Sequence, residues 1–346
     1  MAPQNSSVVT HLPWRVPHSN GFVSMNDVPT LTTLCSPVRT WMLEPTLIHL
    51  RHCLAVRCLA VKCLAVKCLA VGLCLATGFF HASSLRAQEK PATDDALHYP
   101  LAVAADAEAT LYVVDLDLPG VWQIKGETRT LFVRGTKLLR KPLNRPRCVA
   151  IHPDGGILVG DSATREVYHI ATADGPPTPL CQSRMGIAMA IAVAPDKQSF
   201  YVGDAEKRAV FRVPIGGGEP ELVARVNARG LCFDNDGSLW AVTPDDTAIQ
   251  RIDVAANTSQ AIVTGRPYQY PNGLVWVGDE GFVTDGYGKA IWKFTADGKT
   301  EKWFEGEPLL GPVGIAINEG SLLVADPKRM QLFQFALDNK AITNRL

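Results

Sequence analysis

Histidine is scarce where a hydrolytic enzyme would need it. Of eight histidines in 346 residues, only His98, His152 and His169 lie beyond residue 87. No G-x-S-x-G elbow, phosphate-binding glycine loop or zinc-ligand spacing accompanies them, so no residue is marked as catalytic. Cysteine thins out in the same region: six of nine lie before residue 88, leaving Cys148, Cys181 and Cys232. Three cysteines inside expected strands read as small buried apolar residues rather than a disulfide framework. A membrane-spanning apolar run is also missing. The uncharged segment Cys68 to Phe80 has thirteen residues, too short for a bilayer and the right size for a signal-peptide core.

Net charge is zero, but unevenly spread. Residues 1–87 carry 7 Lys+Arg against 2 Asp+Glu, whereas residues 88–346 carry 27 against 32. Residues 1–41 have no sustained periodicity and read as disordered, or as a translation start set too far upstream. Residues 42–87 read as a signal peptide, with Arg51, Arg57, Lys62 and Lys67 as its basic leader and cleavage expected after Ser84 or Ala87. Within it a pentapeptide recurs from Cys53: CLAVR, CLAVK, CLAVK, CLAVG. A period of five fits neither a helix face nor a strand face, and it is no zinc spacing. The second reading of Leu54 to Phe80 is an uncleaved anchor holding three cations. Export, to a periplasm or the extracellular space, is the expectation. Residues 88–96 form a linker.

The rest of the chain, 97–346, varies one theme. The stretch YPNGLVWVGDEGFVTDGYGKAIWKF, Tyr270 to Phe294, reads as three short strands bounded by Gly, Asp and Asn, with a fourth at Glu301 to Phe304. The end of its second strand recurs as LYVVD, ILVGD, FYVGD, LWAVT, GFVTD and LLVAD, closing on Asp115, Asp161, Asp204, Thr243, Asp285 and Asp326. The intervals are 46, 43, 39, 42 and 41 residues. Four strands per unit at a period near forty predict an all-β fold, a six-bladed β-propeller with four antiparallel strands per blade. The recurring Asp invites a metal reading, yet an Asp after a strand ordinarily accepts N–H groups of the following turn and fixes it. One per blade, it reads as a determinant of the fold. Inner strands CVAI, AIAV, GLCF, GLVW and GIAI alternate small with large residues, which suits close approach of neighbouring blades.

On these motifs a resemblance can be named. GIAINEGSLLVADPKRMQLFQF and AIAVAPDKQSFYVGDAEKRAVFRV resemble NHL repeats, and YPNGLVWVGDEGFVTDG resembles the senescence-marker-protein/gluconolactonase (lactonase-like) family. Both are six-bladed propellers, and the resemblance covers about residues 97–346. It carries the fold rather than a function, because the shared motifs are the structural ones. It implies a divalent cation at the channel mouth, held by a Glu, the Asn of an NGL motif and an Asp of a PDG motif. Asn272 matches the Asn. Tyr99-Pro100 stands near the Glu position and Val313 at the Asp position, so neither a metal nor any other cofactor is expected.

Aligning the first residues of the six blades puts Tyr99, Arg147, Met189, Arg229, Asn272 and Val313 in one ring around the mouth. Two arginines there point to an anionic ligand. The connection RGTKLLRKPLNRPR, with Arg134, Lys137, Arg140, Lys141, Arg145 and Arg147 and no acid, should lie on the same face and steer anions. The expected function is an exported binding or interaction module. Its partner would be an anionic small molecule or polymer, or a protein, on the mouth face. The second reading is a lactonase-like hydrolase or lyase. Nucleic acid is not expected for an exported chain, membrane contact is expected only through the leader, and a monomer is expected.

Overall fold

Strand-length apolar runs, rich in β-branched and aromatic residues and separated by Gly, Asp and Asn turns, favour antiparallel hairpins over helices. The computed structural model describes residues 96–345, and every regular element there is a strand. The stretch 1–41 expected to be disordered or a misplaced start, the expected signal peptide with its pentapeptide repeats, and most of the expected linker lie outside the described residues.

The strands form six four-stranded antiparallel sheets, each built from consecutive segments. Blade one holds β1 (Pro100–Ala105), β2 (Leu111–Asp115), β3 (Gly120–Lys125) and β4 (Thr128–Arg134); blade two β5 (Pro146–Ile151), β6 (Ile157–Asp161), β7 (Glu166–Ile170) and β8 (Thr178–Pro179). Blade three holds β9 (Ala188–Val193), β10 (Ser199–Asp204), β11 (Ala209–Pro214) and β12 (Glu221–Ala224); blade four β13 (Gly230–Phe233), β14 (Leu239–Val242), β15 (Ile249–Asp253) and β16 (Thr258–Val263). Blade five holds β17 (Pro271–Val277), β18 (Glu280–Asp285), β19 (Ala290–Thr295) and β20 (Thr300–Glu305); blade six β21 (Gly314–Asn318), β22 (Ser321–Asp326), β23 (Gln331–Ala336) and β24 (Ile342–Asn344). The protein is a six-bladed β-propeller.

A four-stranded sheet with apolar side chains on both faces is stable only when both faces are covered. Six apolar clusters do this, one in each gap between adjacent blades. In the gap between blades four and five, for example, the Trp240 and Trp276 rings stack at 4.8 Å. The ring closes without strand exchange. β1 packs on β21 and β22, and Val103, Leu111 and Trp122 of blade one share a core with Ala316, Leu323 and Leu332 of blade six.

The small residues of the inner strands sit where neighbouring backbones nearly touch. A methyl group on Gly273 would stand 2.7 Å from the Val313 carbonyl, and one on Gly314 would stand 2.7 Å from Ala102 Cα. The second contact lies at the closing gap, so the seam uses the same device as the other gaps.

The recurring carboxylates are buried and serve as clamps. Asp115 accepts the N–H groups of His98 (2.7 Å) and Tyr99 (2.9 Å) from the incoming chain, and those of Asp117 and Leu118 (3.1 Å each) from the turn that follows. Asp161, Asp204, Asp285 and Asp326 repeat the pattern. Thr243 makes a reduced version, accepting from Asp245 N–H and donating to the Thr247 carbonyl.

One cysteine differs from its expected setting. Cys181 lies in a turn beyond β8, not in a strand, because that outer strand is only two residues long. It is nonetheless buried, and Cys148, Cys181 and Cys232 are all free thiols. Burial pushes the Cys148 thiol up to about 12, which leaves it protonated and unreactive at neutral pH.

Candidate functional site

The channel mouth is a cavity of about 260 Å³, and Tyr99, Arg147, Met189, Arg229, Asn272 and Val313 all line it. Strand pairing explains how they come together. In β1 and β2, Pro100 pairs with Asp115 and Ala102 with Val114, so Leu101 is an extra residue bulged out of the ladder. The same irregularity in β5 and β6 leaves Arg147 unpaired, and in β9 and β10 it leaves Met189. In β17 the pairing skips from Pro271 to Leu274, past Asn272. A bulge bends the strand and re-aims a side chain. In these four blades it turns one residue toward the axis; Arg229 and Val313 instead stand just before β13 and β21, whose ladders are regular, and donate their N–H groups to the Val242 and Ala325 carbonyls.

This register corrects blade one. The residue equivalent to Arg147, Met189 and Asn272 is Leu101, not Tyr99. Tyr99 instead matches Arg145, Ile187 and Tyr270: each accepts, through its carbonyl, an N–H from just beyond the end of the second strand. Leu101 and Tyr270 line the cavity too. The lining is therefore a ring of Leu101, Arg147, Met189, Arg229, Asn272 and Val313, with Tyr99 and Tyr270 two residues upstream. A proline signal could have placed it, since Pro100, Pro146, Pro271 and Pro312 each precede a ring residue. Proline tolerates the first position of a strand, where no ladder N–H is needed.

The electrostatics of the ring are one-sided. Arg147 donates through Nε to Ser162 Oγ at 2.9 Å, and neither Arg147 nor Arg229 forms an ion pair among the described residues. Burial holds the Arg147 guanidinium below its ordinary value, with repulsion from Arg145 next and from Arg229 a smaller contribution. Asn272 is buried and donates through Nδ2 to the Tyr270 carbonyl at 3.0 Å, which leaves Oδ1 as its acceptor.

The donor set does not fit the divalent cation of the lactonase-like mouth. Among the described residues no carboxylate lines the cavity, and two guanidinium groups do. A hard cation needs several oxygen donors and is repelled by guanidinium. Among the described residues no group of three or more His, Cys, Asp or Glu could hold a metal ion.

A second titratable pair lies away from the mouth. His152, just past β5, stacks on His169 of β7 with ring centroids 3.8 Å apart. Their seventeen-residue separation hid the pair in the sequence; β5 and β7 both flank β6, whose hairpin turn brings the two rings together.

The class of protein defined by this architecture is the six-bladed propeller with an axial mouth. Solved structures agree on the fold. A chain of a nidogen/laminin complex superposes with a TM-score of 0.56 at 14% identity, covering 71% of this chain and 90% of that one. Gluconolactonase from Xanthomonas campestris gives 0.56 at 16% identity, covering 72% and 87%. Virginiamycin B lyase from Staphylococcus aureus gives 0.54 at 16%, covering 71% and 84%. No protein-family model and no curated protein matches the sequence. At such identities the likeness shows the fold alone.

Proposed function

We propose that this propeller is an exported binding module whose mouth takes the anionic group of an amphipathic organic acid. The observation that carries the reading is the pair Arg147 and Arg229, which line one cavity with no carboxylate beside them among the described residues. They stand on blades two and four with Met189 of blade three between them, so a bound carboxylate, sulfate or phosphate is approached from two directions. Each planar guanidinium fork can give two parallel hydrogen bonds. Asn272 adds neutral polarity, and Leu101, Met189 and Val313 supply an apolar wall. That combination favours an amphipathic acid over a free inorganic ion. Export rests on the basic leader and short uncharged core of residues 42–87.

The test is a panel of small organic anions titrated against the wild type, Arg147→Ala and Arg229→Ala. Each replacement should remove about 1.5–3 kcal/mol of binding. A ligand bound equally by all three proteins would place the site elsewhere. The second reading, a lactonase-like hydrolase, has the gluconolactonase fold likeness in its favour. Lactone hydrolysis that depends on a stoichiometric divalent ion would establish it over the first.

A further inference from the structure

The two ends of the propeller differ sharply in charge. At the end away from the mouth, each hairpin between a first and second strand carries an acid: Asp106, Asp154, Asp196, Asp236, Asp279 and Glu319. At the mouth end the connections carry acids too, Asp117 and the arginine-paired Glu206, Asp245, Asp246 and Glu307, but cations outnumber them, and Lys137, Arg140, Lys141, Arg145, Lys289 and Lys328 stand exposed outside those pairs. Of the eight large apolar side chains that stand exposed among the described residues, five lie at that basic end, Leu138, Leu139, Tyr270, Tyr287 and Met330; Leu222 and Ile342 lie on outer strands and Ile317 toward the acidic end. Tyr270 and Tyr287 stack at 4.7 Å, and Lys328 Nζ lies 5.4 Å from the Tyr287 ring.

The connection from β4 to β5 is the most pronounced of these features. Its tip reads Lys137-Leu138-Leu139-Arg140-Lys141, and the two leucines are 65% and 86% exposed. The tip is folded rather than slack. Leu138 N–H donates to Thr136 Oγ1 at 3.2 Å, and the Leu138 carbonyl accepts from Lys141 N–H at 3.2 Å and Asn144 Nδ2 at 2.9 Å. Leu143 anchors the foot of the loop in the core between blades one and two. The fold therefore holds two adjacent leucines outward between flanking cations, with the Leu138 backbone groups already hydrogen-bonded.

We infer that the mouth-bearing face docks on an anionic lipid surface, with Leu138 and Leu139 inserted among the headgroups. Cations gain from the negative surface potential, and apolar side chains gain by leaving water at the acyl boundary. A polyanion would satisfy the cations but gives outward-facing leucines nothing to enter. A protein partner would call for a contiguous apolar core; here the apolar residues stand on separate turns of blades five and six and of the one-to-two connection, which suits a flat, fluid surface. The acidic far end, repelled by the same surface, fixes the orientation. The inference does not depend on what the cavity binds.

The experiment measures sedimentation of the full chain with phosphatidylcholine vesicles and with phosphatidylcholine/phosphatidylglycerol vesicles. The second readout is amide exchange at residues 137–141, which separates docking by this loop from any contribution of residues 1–95. Binding should require the anionic lipid and should slow exchange at 137–141. Replacing both leucines (Leu138→Ser with Leu139→Ser) should weaken partitioning by about tenfold or more. Lys137→Gln and Lys141→Gln should each weaken it about fivefold. Ile317→Ser, at the acidic end, should leave it unchanged. Bound protein with unaltered exchange at 137–141 would overturn the inference. So would equal binding to both vesicle types, or binding to dextran sulfate that depends on the lysines but not the leucines, with none to vesicles.

Discussion

Arg147 Nε donates to Ser162 Oγ at 2.9 Å, and the same hydroxyl donates to the Arg145 carbonyl at 3.2 Å. Ser162 thus ties a bulged arginine to the chain two residues before it. The tie fixes one edge of the guanidinium and leaves the terminal NH2 groups free for a ligand. Ser162→Ala should weaken anion binding by about 0.5–1.5 kcal/mol, the range for one neutral hydrogen bond. Unfolding should barely move, because this bond is partly solvated. Isothermal titration beside a denaturant melt reads both quantities.

Asp161 holds a different kind of bond. It accepts the N–H groups of Asn144, Arg145 and Ala163 and the Thr164 hydroxyl, all while buried. Asp161→Ala leaves these donors without an acceptor and should cost about 3 kcal/mol or more. Asp161→Asn should cost less, since one carbonyl oxygen remains. Thr243→Ala, in the blade with the reduced clamp, should be the mildest of the three. Urea unfolding midpoints would rank them.

The stacked histidines predict an acid-sensitive fold. Burial, and then the neighbouring His169, hold His152 below its ordinary 6.5. The unfolded chain therefore takes up this proton first on acidification, and unfolding gains from it. The contribution to stability is fully present above about pH 6.5 and declines as pH falls toward the depressed folded value. His152→Gln should flatten that part of the stability–pH curve, measured by urea unfolding between about pH 7.5 and 5.

Two glycines should behave oppositely. Gly314→Ala would press a methyl group to 2.7 Å from Ala102 Cα and 2.8 Å from the Leu101 carbonyl, backbone that cannot swing aside. It should lower stability by about 1–3 kcal/mol. Gly216→Ala meets nothing within 4 Å and should be near neutral. Thermal unfolding of the pair would show whether the seam between blades six and one is as tight as the other gaps.

The sixfold repeat was legible because the residues that repeat are those the fold cannot do without. Asp115, Asp161, Asp204, Asp285 and Asp326 each satisfy several buried N–H groups, and no other side chain of that size does so. The ring was nearly legible. Counting back along the inner strands reaches Arg147, Met189, Arg229, Asn272 and Val313; in blade one it overshoots to Tyr99, because Leu101 reads as an ordinary inner-strand residue, whereas the strand begins at Pro100 and bulges at Leu101. The bulge that turns Arg147 inward leaves no composition signal beyond the preceding proline. The His152–His169 stack was invisible because neither residue belongs to the repeating pattern.

Because every sheet is completed by consecutive strands, no blade is stitched from the two ends of the chain. The first and last described residues also finish at the same end: His98 N–H bonds Asp115 beside the mouth, and Arg345 N–H bonds the Leu332 carbonyl near the start of β23. Circular permutation is therefore open to this ring. Joining the chain at His98 to the chain at Arg345 and cutting between any two other blades would keep every strand pairing, and the order of blades along the polypeptide would become a matter of folding history rather than of architecture.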